Sequence, residues 1–195
     1  MGVTIFKSIY EKEPHKTTVA KALQRIQQGA SRSTVDGLRS GQKERKMQLP
    51  AVLFSGEFSS RSDNAINEHS GYIVLDFDHI EVEKTKKVLA ADEHIYSCWQ
   101  SPSGTGVKAL VKITHPERHR DHFRALVKYF DKRYSMDLDA SGINESRACF
   151  ESYDPEIVIK ADCKKFSGFV SEEKFAAPQE LPTLEHTDYQ KLNVA

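Results

Sequence analysis

The sequence has 195 residues, enough for one domain with a buried core, and its 28 basic and 28 acidic side chains give a formal net charge of zero. The charge of the whole chain therefore neither recruits nor repels nucleic acid, and neither a signal peptide nor an apolar run of membrane length is visible. The three cysteines are odd in number and form no CxxC pair, so nothing indicates a zinc ribbon or a disulfide framework, and a reducing cytoplasm is favoured.

The first 70 residues are predicted to form an α/β extension that begins with a short strand at residues 2–10. Thr17 or Thr18 can cap a helix that Gly29 ends. Residues 1–50 hold ten Lys and Arg side chains against four acids, a local excess that fits either contact with phosphates or a solvated helical surface. We expect short helices and loops at residues 30–48, a strand at 49–54 and a polar loop at 55–70.

The most informative stretch is the apolar run at residues 72–78, which ends in two carboxylates. Its β-branched and aliphatic composition predicts a buried strand. Side chains alternate across a strand, so Asp76 and Asp78 lie on the same face, about 7 Å apart. Two such carboxylates repel each other unless a hard cation neutralises them, which favours a Mg²⁺ or Mn²⁺ site. Acids that merely cap the next helix are the alternative.

A regular alternation of strands and helices surrounds this run. Thr114 and Glu117 form a capping box, which predicts the start of the second helix. The order βαββαβ is that of the RRM-like or ferredoxin-like unit, in which the first and third strands are neighbours and both helices cover one sheet face. The sequence therefore predicts an α+β fold, with this unit as its core. The expected helices span 81–91 and 114–133, and the expected strands span 72–78, 95–100, 107–113, 147–151 and 156–160.

In this topology, the third strand presents its apolar residues to the helices and Lys108 and Lys112 to the opposite, uncovered face. Asp76 and Asp78 of the neighbouring first strand fall on the same uncovered face. Because two independent alternations agree, we expect this face to carry a site.

The turn between the second and third strands, residues 101–106, could hold an anion. Gly104 and Gly106 allow backbone N–H groups to approach a phosphate, while Ser103 and Lys108 add a hydroxyl and a positive charge. A hairpin turn with glycines for steric reasons alone is the alternative, and the Walker A spacing is absent. A triphosphate and a carboxylate-bound metal need each other, so the neighbouring acids favour the phosphate interpretation.

Further polar residues follow the second helix. A third acid is expected if two metals bind, and either Asp137 or Asp139 could supply it. The planar fork of Arg147 suits a phosphate, although a structural salt bridge is the alternative. Three histidines have metal-ligand spacing on the second helix, but their charged neighbours favour a solvated face; they are His115, His119 and His122.

Taken in order, these motifs resemble the archaeo-eukaryotic primase superfamily, and within it the N-terminal domain of virulence-associated-E-like proteins of bacterial mobile elements. The resemblance spans about residues 3–160. It is carried by Leu-Pro-Ala-Val-Leu-Phe-Ser-Gly at 49–56, Asp-Phe-Asp-His at 76–79, Ser-Pro-Ser-Gly-Thr-Gly-Val-Lys at 101–108, and Asp139 followed by Asn-Glu-Ser-Arg-Ala-Cys-Phe-Glu-Ser-Tyr-Asp-Pro at 144–155.

The resemblance implies a primase–polymerase core that joins NTPs or dNTPs on a single-stranded DNA template. Asp76, Asp78 and Asp139 would match the residues that hold Mg²⁺ or Mn²⁺. Many members of the superfamily carry a histidine where this chain has Lys108, which keeps the charge but loses the planar geometry. The residues implied to hold the nucleotide are Ser103, Gly104, Thr105, Gly106, Lys108 and Arg147, and those expected on the template backbone are Arg45, Lys46, Arg61 and Lys112.

Two other functions share this topology. A non-catalytic module that binds single-stranded nucleic acid would need aromatic residues on the uncovered face, where acids and lysines are expected instead. A replication-initiator nickase would need a His-x-His pair, which the sequence lacks.

The resemblance also implies a domain organisation. Residues 1–170 would form the catalytic domain, with an N-terminal subregion at 1–70 and the RRM-like core at 71–160. Residues 171–195 lose hydrophobic periodicity and gain prolines, which predicts a linker to a further domain. A helicase, in the same or a neighbouring polypeptide, is the expected partner.

Overall fold

The computed structural model describes residues 1–176, and most of the predicted linker, from residue 177 on, lies outside these described residues. Residues 1–176 form an α+β fold, as predicted, with ten strands and five helices. The strands are β1 (Gly2–Phe6), β2 (His15–Thr18), β3 (Ala51–Leu53), β4 (Gly56–Phe58), β5 (Ile66–His69), β6 (Tyr72–Asp78), β7 (Ile95–Gln100), β8 (Gly106–Lys112), β9 (Cys149–Phe150) and β10 (Val158–Ile159). The helices are α1 (Val19–Gln28), α2 (Arg32–Arg39), α3 (Val82–Ala91), α4 (His119–Tyr134) and α5 (Glu172–Ala176). None of these helices is long and apolar enough to cross a membrane.

The central sheet has the antiparallel strand order β10-β7-β8-β6. Strands β6 and β8, the first and third of the predicted unit, are neighbours, as the sequence predicted. They pair along their whole length, and this register sets Asp76 directly opposite Lys108 and Asp78 opposite Gly106. The alternation that was expected to bring acids and lysines to one face is therefore present.

The fourth strand of the predicted unit was expected in the central sheet, and this placement is wrong. Strand β9 pairs with β3 in a separate sheet, of order β2-β1-β3-β9, and the short β10 joins the edge of β7 instead. Contacts at Glu151 explain this: its N–H donates to the Pro50 carbonyl at 2.7 Å, and its buried carboxylate accepts hydrogen bonds from Arg25 and Ser31. These bonds hold the end of β9 beside the N-terminal elements.

Helices α3 and α4 cover one face of the central sheet. The alternating apolar residues of β6 and β8 pack there against the buried sides of both helices, as predicted. The capping box is wrong, because a 3₁₀ turn at Pro116–Arg118 precedes α4 and the Thr114 hydroxyl donates to the Phe166 carbonyl at 3.4 Å instead. The residues of this layer include Ile73, Leu75, Phe77, Val107, Ala109, Val111, Leu89, Phe123, Leu126 and Phe130.

The other face of the central sheet is covered, where the sequence predicted an open face. Tyr72, Val74 and Leu110 are apolar residues on that face, and burying them favours a second layer. The N-terminal elements provide it. Helix α1 begins as predicted, with Thr18 Oγ1 accepting from the Lys21 N–H, and ends at Gly29 (φ +76°). The residues packed on the sheet come from α1, from β1 and β3, and from the position after β3. They include Val3, Val19, Leu23, Ile26, Val52 and Phe54.

The predicted polar loop at 55–70 is also structured. Strands β4 and β5 form a two-stranded antiparallel sheet within it. Its apolar residues are few, but Phe58 is buried against Phe6 and Leu53. The segment was predicted as a loop because its outward side chains are mostly polar.

Candidate metal and anion site

Three carboxylates meet where β6 leaves the covered part of the sheet. Asp76 and Asp78 come from the end of β6, and Asp139 comes from the segment after α4, where its N–H donates to the Asp76 carbonyl at 3.1 Å. One oxygen of each carboxylate lies within 4.8 Å of the other two. Asp137, the alternative third acid, is exposed and outside this cluster. The structure therefore brings Asp139 to the pair that the strand pattern predicted.

Asp139 is held by hydrogen bonds and by charge. Its carboxylate accepts from the Ser141 N–H at 2.9 Å, from the Ser141 hydroxyl at 2.6 Å and from Arg147 Nη2 at 2.7 Å. Burial acts to raise the pKa of Asp139, but the Ser141 hydrogen bonds and the charges of Arg147 and Lys108 outweigh it, so the pKa is below its ordinary value. The group is a carboxylate at neutral pH.

Asp76 is the most enclosed of the three acids. Its Oδ2 accepts a hydrogen bond from Lys108 Nζ and lies 4.0 Å from Arg147 Nη2. Its Oδ1 is buried and has no hydrogen-bond partner within residues 1–176. A buried acceptor without a partner is costly, and an all-oxygen donor set matches the preference of Mg²⁺ and Mn²⁺. The residues present therefore fit a hard divalent cation.

The turn at 101–106 lies beside these acids. Gly104 has φ +82°, which glycine adopts without strain. Gly106 permits close approach to β6, since a Cβ there would lie 2.7 Å from the Phe77 carbonyl oxygen. Ser103 Oγ lies 3.1 Å from both Ser101 Oγ and Thr105 Oγ1, so the three hydroxyls form a hydrogen-bonded row. Ser101 Oγ also accepts a hydrogen bond from the Gly106 N–H at 3.1 Å.

The acids and the turn share one cavity of about 450 Å³. Of the residues predicted to hold a nucleotide, Ser103, Lys108 and Arg147 line it, whereas Gly104, Thr105 and Gly106 only shape the turn. Its polar lining can receive both cations and anions. The lining residues are Ile9, Lys46, Asp76, Asp78, Ser101, Pro102, Ser103, Lys108, Asp139, Arg147, Ala148 and Phe150.

Only one of the four predicted template contacts reaches this cavity. Lys46 is exposed and lines it. Arg45, Arg61 and Lys112 do not line it. Their cationic groups lie instead near the Ser33 carbonyl (3.4 Å), the Phe6 ring (5.2 Å) and the Tyr96 ring (4.4 Å), respectively.

Arg39 is a site-supporting residue that sequence reasoning missed. From α2, its Nη2 donates to the carbonyl oxygens of Ser101 and Tyr153, both at 3.0 Å. Burial lowers the pKa of Arg39, while the charges of Asp154 and Asp36 oppose this shift. The only sequence signal was its membership of the basic N-terminal segment, because the contact joins residues 62 positions apart.

The helix histidines were predicted on a solvated face, which is wrong for two of them. His119 and His122 are buried, and only His115 is exposed. His69 Nε2 and His119 Nδ1 lie 3.0 Å apart, joining β5 to α4. Burial lowers the pKa of His69 to about 4 and that of His119 to about 3. Neither lines the cavity described above.

Comparison with known proteins gives one family. No curated protein and no solved structure matches the chain. The family model described as "BT4734-like, N-terminal domain" matches residues 44–158, which is more than half of the chain and includes all three carboxylates, the turn and Arg147. The chain therefore belongs to the BT4734-like N-terminal domain family.

Proposed function

We propose that the chain is a primase–polymerase-type nucleotidyltransferase that joins NTPs or dNTPs on a single-stranded template. The observation that carries this proposal is the convergence in one cavity of Asp76, Asp78 and Asp139 with the turn at 101–106. Acids alone would suggest only a cation site. Acids beside a hydroxyl-bearing turn and the basic side chains of Lys108 and Arg147 suggest a site for a metal-bound polyphosphate. The sequence resemblance to the archaeo-eukaryotic primase superfamily points the same way.

The fold supports the proposal at a finer level. The elements β6, α3, β7, β8 and α4 follow one another in the order βαββα, and β6 pairs with β8. The proposed RRM-like unit would share this order and this pairing of its first and third strands. The structure differs from such a unit at the fourth strand. The segment that carries Asp139 lies beside β6, where that strand would pair. In the proposed enzyme, this departure brings the third carboxylate to the edge of β6.

Each lining residue has a role in this proposal. Asp76, Asp78 and Asp139 would hold Mg²⁺ or Mn²⁺. Bound there, two such ions would lower the pKa of an attacking 3′-hydroxyl and neutralise the leaving pyrophosphate. Lys108 and Arg147 would orient the triphosphate by charge and by the planar fork of the guanidinium.

The template has one candidate contact at the cavity. Lys46 is exposed beside Phe150, with Nζ 5.6 Å from the ring centroid, and could contact a phosphate of a single strand that crosses the opening. Binding of that strand should weaken as salt rises. Replication of a mobile element or phage, with a helicase as partner, is the context that the resemblance suggests.

A template-dependent transfer assay tests the proposal. The purified protein is given a single-stranded template, with or without a labelled primer, with NTPs or dNTPs and with Mg²⁺ or Mn²⁺. We expect product that is lost when Asp76 and Asp78 are both changed to Ala, and the lane without primer shows whether the enzyme starts chains. No product from a wild-type protein that binds single strands as well as the variant does would favour a non-catalytic binding module instead.

A further inference from the structure

Two of the three basic side chains that line the cavity are bound to its acids. Lys108 Nζ binds Asp76 Oδ2, and Arg147 Nη2 binds Asp139 Oδ2 at 2.7 Å. The side chains of Lys108 and Asp76 are only 12% and 13% exposed, so their attraction is screened less than that of a surface pair. The cations that would receive an anion are thus bound to the acids that would receive a metal.

The charges of the cavity walls cancel. Three carboxylates face three basic side chains, the third being Lys46, so the formal charge of the lining is zero. A divalent cation alone would leave the cavity positive, and a polyphosphate alone would leave it negative. Either ligand therefore corrects the imbalance that the other creates.

We propose that Lys108 and Arg147 are exchangeable counter-ions that couple metal binding to polyphosphate binding. In the free protein they neutralise Asp76 and Asp139. When a divalent cation occupies the carboxylates, both side chains transfer to a polyphosphate in the same cavity. This proposal rests on the metal site of the proposed function, and it adds that the two ligands bind with positive, reciprocal coupling.

The geometry favours a polyphosphate over a single phosphate. The two released side chains come from different parts of the chain, Lys108 from β8 and Arg147 from the segment before β9. The Ser103 hydroxyl approaches from the turn. An anion that meets all three must present several oxygens across a cavity of about 450 Å³. Arg147 can bind two of these oxygens through its fork, whereas Lys108 acts as a point charge.

The test measures Mn²⁺ binding by calorimetry, once for Mn²⁺ alone and once for preformed Mn²⁺–tripolyphosphate. For Lys108→Gln, we expect Mn²⁺ alone to bind about tenfold more tightly than to the wild type, since a competing cation has been removed. The same variant should bind Mn²⁺–tripolyphosphate about tenfold more weakly. Arg147→Gln should shift both affinities in the same directions.

The matched control is Lys112→Gln, which removes a charge from the same strand but outside the cavity and should leave both affinities unchanged. Asp76→Asn identifies the site, because it should abolish Mn²⁺ binding. Thermal unfolding of each variant confirms that it is folded. If Lys108→Gln does not fold, the same two measurements on Arg147→Gln test the proposal.

Two outcomes overturn the proposal in different ways. If Mn²⁺ binds the wild type and is lost in Asp76→Asn, but neither cation variant tightens it, the counter-ion exchange is wrong and the metal site stands. If Mn²⁺ does not bind the wild type at all, the metal site of the proposed function fails with it.

Discussion

Arg39 shows how a single side chain supports the turn at 101–106, the proposed anion contact. Its guanidinium bridges the carbonyl oxygens of Ser101 and Tyr153. Replacing it by Gln should lower the free energy of unfolding by about 1–3 kcal/mol, the usual effect of losing hydrogen bonds from a charged donor. It should also weaken Mn²⁺–tripolyphosphate binding more than binding of Mn²⁺ alone, because in the proposed complex the turn contacts the anion.

Arg32→Gln is the control for this change. Arg32 lies on the same helix, α2, and forms an exposed 3.4 Å ion pair with Asp36. An exposed pair of this kind contributes little, so stability and binding should stay close to those of the wild type. Equal effects of the two substitutions would show that Arg39 has no special part in holding the turn.

Single residues also show how far sequence reasoning reaches. Asp76 and Asp78 followed from alternation along a strand, which is a local property. The choice between Asp137 and Asp139 depends on how the chain returns to β6, so the pattern left it open. Charge alone does not say which basic side chains line the cavity, because Arg45, Arg61 and Lys112 lie near a carbonyl group or aromatic rings outside it.

At the level of strands and helices, the main error in the prediction was which strands pair, not whether the strands exist. The strands near 149 and 158 were predicted, but the pattern of a short strand does not specify its partner. Glu151 decides it through Arg25, which lies 126 residues away in sequence. Such contacts between distant segments have no local signature, so the covering of the central sheet by the N-terminal elements was also missed.

The His69–His119 contact predicts how stability depends on pH. Burial lowers both pKa values below the ordinary 6.5, so the unfolded chain takes up protons first as the pH falls. Stability from these neutral histidines is complete above pH 6.5 and is lost as the pH falls toward their folded pKa values, near 4 and 3.

His119→Gln should therefore flatten the fall in stability between pH 6.5 and pH 4.5 by up to about 1.4 kcal/mol per pH unit. Urea unfolding at several pH values measures it. His115→Gln is the control, because His115 is exposed and its loss should leave the slope near that of the wild type. A slope that is the same in His119→Gln and the wild type would contradict this assignment.

Across the chain as a whole, the region matched by the family model is shorter than the folded region. The matched region begins at residue 44, after α1 and α2. Yet Leu23 and Ile26 of α1 are buried against the same cluster as Val74 and Leu110 of the central sheet. Elements of the first 43 residues therefore belong to the same packed core as the strands that carry the site.

A fragment of residues 44–176 should accordingly fail to unfold cooperatively, because it exposes the apolar face of the central sheet. The matched chain of residues 1–176 should show a single cooperative transition. Thermal unfolding followed by near-UV circular dichroism compares the two. A cooperative transition of the fragment at the same temperature would show that the N-terminal elements are dispensable for folding.

The most direct test of the proposed activity compares two neighbouring acids in the template-dependent transfer assay. Asp139 belongs to the carboxylate cluster, whereas Asp137 is exposed and outside it. We expect Asp137→Asn to make product like the wild type and Asp139→Asn to be at least about 100-fold slower, as for loss of a group that stabilises developing charge. Equal activity of the two variants, or no template-dependent product from the wild type, would contradict the proposed two-metal nucleotidyl transfer.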